Sequence, residues 1–169
     1  TLGRHYFFDE VHADHVTQLS LSLFDQLREL HGMGATERRI LLAAAMLHDI
    51  GVYVSPKKHH KHTQYLIAQS ELPGLSPREI LLASAVARYH RKGDPAPQHE
   101  PYGRLPESDR LVVTRLAALV RMAEAMDREH RQRVRSVKVT VGEGVLHLRP
   151  VGTGDLLLER WSLKNKSQL

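Results

Sequence analysis

Cysteine is absent from this chain. Its absence excludes a disulfide framework, a zinc–thiolate site and a thiol nucleophile, and it fits a reducing compartment. Aromatic residues are scarce at 5%, and no basic–aromatic alternation suggests a stacking platform for nucleic acid. No apolar run approaches the roughly 18 residues of a membrane span. The N-terminus, "TLGRHYFFDEVH", lacks the apolar core of a signal peptide. The expectation is a soluble, cytoplasmic protein with no membrane partner. Internal repeats and low-complexity segments are missing as well.

What is present begins with length. A chain of 169 residues is one domain, or one domain with a small appendage, and can bury an apolar core without covalent staples. Its formal charge is +5, from 24 Lys+Arg against 19 Asp+Glu. That excess suits anionic ligands such as phosphates or nucleic acid, and equally a mixed charged surface. The unusual number is 12 histidines. Histidine is the commonest metal ligand and titrates near neutrality, so the positions of these residues decide the reading.

Val16, Leu19, Leu23, Phe24 and Leu27 recur at helical spacing and predict a helix from Asp9 to about Leu30. Two glycines in "HGMGATER" break it. Thr36 and Glu37 then start "RRILLAAAMLHDIG", a helix apolar on most faces that ends near Gly51. "VSPKK" reads as a turn and "HHKHTQYLIAQS" as a third helix. "SPREILLASAVARYHRK" opens with a Ser-Pro-x-Glu start signal and runs helical to His90. The proline- and glycine-rich "GDPAPQHEPYGRLPES" is the long loop, and an amphipathic helix follows from Asp109 to about Arg131. Beyond it the period changes to two in "VKVTV-GEG-VLHLRP-VGTG-DLLLERW". The expected fold is mainly α, a helical bundle over residues 1–133. A small C-terminal antiparallel β-meander over residues 134–169 makes the class α+β.

The chemistry centres on "LLAAAMLHDIG". A His-Asp dipeptide alone is as easily a solvated helix end. Here it closes a buried helix, where an unpartnered carboxylate is costly and a divalent cation would serve as partner. Other ligands must come from other helices. His12 shares the inward face of Val16 and is the candidate on the first helix, with His15 turned toward solvent. Glu124 and Asp127 lie three apart on the long helix and share a face. The alternative for these two is a salt bridge with Arg121, Arg128 or Arg131.

Together, His12, His48-Asp49 and a late helical acid resemble the HD superfamily of metal-dependent phosphohydrolases. More closely, "HADHVTQLSLSLFDQL", "LLAAAMLHDIG", "HHKHTQYLIAQSELPGLSPREILLASAVARYHRK" and "LAALVRMAEAMDREH" resemble the C-terminal region of the exopolyphosphatase / guanosine pentaphosphate phosphohydrolase (Ppx/GppA) family. The likeness runs over nearly the whole chain, and "KHT", "LPGLSP" and "RYHRK" are its more specific pieces. It implies an HD-type bundle in which His12, His48, Asp49 and Glu124 or Asp127 hold a divalent cation. Imidazole with carboxylate suits manganese, iron, nickel, zinc or magnesium.

Two departures from that family stand out. Full-length relatives begin with an actin-like ATPase-fold module bearing a polyphosphatase site, and nothing here resembles its glycine-rich phosphate loops. The chain is therefore read as a stand-alone relative or a C-terminal domain partnered by such a module. The late motif of the superfamily is apolar-Ala-Asp, and here Glu124 stands at that acid in "MAEAMD".

The implied activity is hydrolysis of a nucleotide, guanosine polyphosphate or polyphosphate. Asp49 would orient the attacking water, and His62 or His90 would hold the phosphate or protonate the leaving oxygen. Lys58, Lys61, Arg91 and Lys92, with Lys57 and Arg88 nearby, are the expected phosphate-binding cations. His59 and His60 rank below His62 and His90 as site residues. His5, His31, His99, His130 and His147 read as surface residues. The alternative function is a non-catalytic module that binds polyphosphate or forms a homodimer. Nucleic-acid binding through the same charge is a third.

Overall fold

A computed structural model of the chain describes residues 2–91 and 93–166. The first half comprises α1 (Leu2–His5), α2 (Glu10–Gln26), α3 (Arg28–His31), α4 (Ala35–Met46), a 3-10 turn (Ile50–Tyr53) and α5 (His59–Ala68). The second half comprises α6 (Pro77–Arg88), a 3-10 turn (Tyr102–Arg104), α7 (Glu107–Met126), β1 (Val134–Gly142), β2 (Val145–Gly152) and α8 (Leu157–Lys166). The mainly helical α+β class is the one the sequence leads one to expect. Among the described residues no helix is long and apolar enough to cross a membrane.

Small residues decide how closely the helices approach. Ala43, Ala44 and Ala45 on α4, Ala83, Ala85 and Ala87 on α6, and Ala117, Ala123 and Ala125 on α7 are all buried. Their short side chains bring α2, α4, α6 and α7 together, with α5 laid against α6 and the first 3-10 turn. Leu19, Leu23, Phe24, Leu41, Leu82 and Leu116 fill the space between them. Burying each of these contributes about 1.5–3 kcal/mol. The interior is thus dry enough that any charge placed in it needs a partner.

Local signals set the helix ends. Asp9 caps α2 by accepting the His12 N–H at 3.0 Å. Ser76 and Glu79 form the capping box of α6, with Pro77 in its first turn. The helix expected to continue to Arg131 stops at Met126, because Asp127 leaves helical geometry (φ −130°, ψ 35°) and turns its side chain inward. Arg121, buried, donates to the carbonyls of Tyr89 at 3.1 Å and Gly93 at 2.7 Å and pairs with Asp94 at 3.3 Å. It therefore ties the long loop to α7 rather than neutralising Glu124 or Asp127.

The C-terminal segment corrects one expectation. β1 and β2 form an antiparallel hairpin closed by Glu143 and Gly144, both with positive φ, as a two-residue turn requires. "LLLERW", expected as a third strand of a meander, is α8 instead. Leu156, Glu159 and Leu163 are buried at helical spacing, α8 packs on α7, and Asp155 accepts the Leu157 N–H at 2.9 Å. The apolar run had a helix face to cover, and covering it outweighed the alternation. Val134, Val137, Leu156 and Leu163 join the same apolar cluster as the bundle.

Candidate metal centre

The way α4 stops delivers His48. Past Met46, His48 donates from Nδ1 to the Ala45 carbonyl at 2.7 Å. His90 repeats the device after α6, donating from Nδ1 to the Ala87 carbonyl at 2.7 Å. His59, at the start of α5, donates from Nδ1 to the Pro56 carbonyl at 3.0 Å. A carbonyl only accepts, so each Nδ1 carries the hydrogen and each Nε2 is left with its lone pair. These inward lone pairs, on buried rings, are what a cation requires.

All three converge on Asp49. His48 Nε2 lies 3.6 Å from Asp49 Oδ2, while His59 Nε2 and His90 Nε2 lie 3.3 and 3.2 Å from Asp49 Oδ1. His12 approaches from α2: its Nδ1 donates to Asp127 Oδ2 at 2.8 Å and its Nε2 sits 3.2 Å from Glu124 Oε2. Glu124 Oε2 is also 3.7 Å from His48 Nε2. Of the two late acids, Glu124 therefore faces the interior of the cluster and Asp127 stands behind His12. The Asp127 carboxylate also accepts the Gln132 backbone N–H at 2.7 Å and its side-chain amide at 3.0 Å.

Charge in the cluster follows from these contacts. Burial opposes ionisation of Asp49, but His48, His59 and His90 around it hold its carboxyl well below the usual carboxylate range. Burial likewise opposes a charged His12, yet the hydrogen-bonded Asp127 carboxylate and the adjacent Glu124 carboxylate prevail and raise its pKa to about 9. Burial keeps His48 neutral by pushing its pKa down. The Asp49 carboxylate, 3.3 Å from its Nε2, raises that of His59.

Whether a divalent cation fits can be judged from the donors. Among the described residues two groups have one ligand atom per residue, all within 4.8 Å of one another: His12, His48 and Asp49, and Asp49, His59 and His90. His12 Nε2, His48 Nε2 and Asp49 Oδ1 are buried and make no hydrogen bond. His59 Nε2 and His90 Nε2 face each other at 3.2 Å, and two lone pairs at that distance repel unless positive charge lies between them. Imidazole with carboxylate is the donor set of manganese, iron, nickel and zinc. The residues fit the cation.

Gly51 and Thr63 bring α5 to this cluster. Gly51 N–H donates to Thr63 Oγ1, and Thr63 Oγ1 donates to the His48 carbonyl, each at 3.0 Å. A Cβ on Gly51 would overlap the His59 carbonyl oxygen and the Thr63 amide nitrogen. Only glycine lets α5 come this close to the His-Asp turn.

The structure brings His12, His48, Asp49, His90, Glu124 and Asp127 together. On α5 the residue in the cluster is His59; His62 is half-buried and takes part in none of the contacts above. Spacing carried the signal for His59: His59, Thr63 and Ile67 recur every four residues and are all buried. His130 is exposed, as read from sequence, and also stacks on His12 with centroids 3.6 Å apart and donates from Nδ1 to Asp9 at 2.9 Å. No sequence pattern marked it, because it lies beyond the end of α7. His15, expected to face solvent, is half-buried toward Val134, and burial lowers its pKa. Lys58, Lys61 and Arg91 are exposed, and the charge of Arg91 acts on His59. Lys92 lies outside the described residues.

Comparison with known proteins adds an independent line. A family model described as Ppx/GppA phosphatase, domain III, matches residues 1–164. A protein of Pseudoalteromonas translucida (strain TAC 125), named guanosine-5'-triphosphate,3'-diphosphate pyrophosphatase, is 37% identical over 87 residues. That match covers 51% of this chain and 18% of the relative. A protein of the same name from Pseudoalteromonas atlantica (strain T6c / ATCC BAA-1087) is 38% identical over 72 residues. It covers 42% of this chain and 14% of the relative. The chain thus matches less than a fifth of the length of these relatives.

Proposed function

Because the chain belongs to the Ppx/GppA phosphatase, domain III, family, we propose that it is an HD-type, metal-dependent phosphohydrolase domain. Its substrate would be a guanosine polyphosphate or a related phosphoanhydride or phosphoester. The observation that carries this reading is Asp49, whose two oxygens face two different sets of inward imidazole nitrogens. His12, His48, Asp49 and Glu124 would hold one divalent cation. Asp49, His59 and His90 would hold a second. Asp127 would fix the ring and tautomer of His12 from behind. A divalent cation supplies Lewis acidity toward a phosphoryl oxygen and toward water.

In the hydrolysis a water oxygen bonds to phosphorus, the bridging P–O bond breaks, and one proton of that water ends on the leaving oxygen. Asp49, held ionised, accepts a hydrogen bond from that water and orients it. Arg91, whose charge acts on His59, would offset the negative charge that moves to the leaving oxygen, joined by Lys58, Lys61 and His62 along the first turns of α5.

The test is elemental analysis of the purified protein beside the His48→Ala/Asp49→Ala variant, with phosphate release measured on guanosine pentaphosphate and on polyphosphate. Stoichiometric transition metal that is lost in the variant together with phosphate release supports the reading. Protein that stays metal-free and inactive after reconstitution with manganese or nickel overturns it. The exposed Lys58, Lys61 and Arg91, on a chain matching under a fifth of its relatives' length, also suit a second reading, a non-catalytic polyanion-binding module. Salt-dependent, EDTA-indifferent binding of polyphosphate without hydrolysis would favour that one.

A further inference from the structure

A cavity of about 300 Å³ opens beside the metal centre, lined by Tyr6, Phe7, Phe8, Asp9, Asp49, Val52, Tyr53 and His130. It shares Asp49 with the ligand cluster, so whatever fills it lies against the reacting groups. Its wall is aromatic in a chain with few aromatics. The sequence holds three Phe, five Tyr and one Trp, and four of these residues line this one cavity.

The rings are arranged as a platform. Phe7 and Tyr53 are stacked, with centroids 6.0 Å apart and planes 20° apart. Tyr6 meets Tyr53 edge-on at 5.5 Å. Phe7 is 83% exposed and Tyr53 is 59% exposed, so the apolar faces are held in water. Phe7 also has a φ of 47°, a left-handed conformation that is uncommon for a side chain of this size and costs free energy. An exposed aromatic residue gains little core burial to offset that cost. Stacking against a ligand would offset it.

The carboxylates of the cavity are acceptors, and the Tyr6 and Tyr53 hydroxyls can accept as well as donate. Asp9 takes the His12 N–H on Oδ1 and His130 Nδ1 on Oδ2, and its carboxylate, 49% exposed, keeps lone pairs for further donors. Tyr53 ends the 3-10 turn that Asp49 immediately precedes, which sets the platform one short step from the metal ligands. A planar ring carrying N–H donors, tethered to phosphates that reach Asp49, matches these walls. A bare phosphate chain would leave them in water.

We propose that the Tyr6–Phe7–Tyr53 cavity is a nucleobase-binding subsite, and that it selects nucleoside phosphates over inorganic polyphosphates at the neighbouring metal centre. The selection rests on the phosphohydrolase reading above, whereas the base-binding subsite itself does not. Base–aromatic stacking lost on substitution by alanine corresponds to a loss of roughly 5- to 150-fold in affinity.

Calorimetry on the full chain separates the two ideas. Affinities for guanosine diphosphate and for pyrophosphate are measured with and without manganese, for the wild type and for Phe7→Ala and Tyr53→Ala. Circular dichroism confirms that each variant is folded. Wild-type protein is expected to prefer guanosine diphosphate, and each substitution is expected to collapse the guanosine-diphosphate-to-pyrophosphate affinity ratio by at least 5-fold. Equal affinity for both ligands in the wild type, or a ratio that both variants preserve, overturns the subsite. Phosphate release from guanosine pentaphosphate is followed in parallel. Turnover without base preference sinks the subsite alone, and base preference without turnover sinks the phosphohydrolase reading alone.

Discussion

His12 Nδ1 donates to Asp127 Oδ2 at 2.8 Å across 115 residues of sequence, and this contact holds the far nitrogen of the ring toward Glu124 and His48. The Asp127 carboxylate is itself held by Gln132. Such carboxylate–histidine pairs set the tautomer and raise the basicity of a ligand, and losing one weakens metal binding by about 10- to 100-fold. Asp127→Asn is therefore expected to lower metal affinity by that factor with its stoichiometry intact, as read by competition with a chelating dye. Glu124→Ala is expected to lose more. The reverse order would make Asp127 the direct ligand.

The same contacts give the metal-free protein a pH dependence. His12 has its pKa raised from the ordinary 6.5 to about 9, so the stability it contributes is complete below 6.5 and lost as pH rises through 9. His59, also raised, adds in the same direction. Thermal unfolding of EDTA-treated protein should shift to lower temperature between about pH 6.5 and 9, and His12→Gln should flatten the slope. Because a cation must displace the His12 proton, its affinity should rise over the same window. A flat metal-free profile would contradict the charged His12.

Gly51 is the point where α5 meets the His-Asp turn, with no room for a side chain. Gly51→Ala is expected to destabilise the fold by about 1–3 kcal/mol, the usual cost of overpacking, and to move His59 away from Asp49. Urea unfolding measures the first effect and metal stoichiometry the second. A variant of wild-type stability that binds metal normally would show that the close approach is dispensable.

On α5 the two histidines should behave differently. His59→Ala is expected to remove part of the bound metal, since His59 Nε2 lies 3.3 Å from Asp49. His62→Ala should leave the metal in place and affect turnover alone. Metal lost on replacing His62 rather than His59 would reverse the assignment.

Much of this was legible in the sequence. Helical spacing of Val16, Leu19, Leu23 and Phe24 located α2 and put His12 on its buried face. The Ser76 capping box announced α6, and the glycine turn announced the hairpin. A buried helix ending in His48-Asp49 pointed to a cation partner, and the residues that surround Asp49 fit one. The "LLLERW" segment was misread because its apolar residues satisfy a short alternation as well as a helical face, and only α7 discriminates between them.

Spacing and caps act over a few residues, so the sequence by itself determined the helices, their buried faces and the His48-Asp49 turn. Which side chains meet across those helices depends on how closely the backbones pack and on where each helix stops. Tertiary structure alone therefore placed Glu124 toward the cluster with Asp127 behind His12, chose His59 over His62, stacked His130 on His12 and opened the aromatic cavity beside Asp49. The physical reason is range: each of these contacts joins residues far apart in the chain, and no local rule of helix or turn specifies the distance between them.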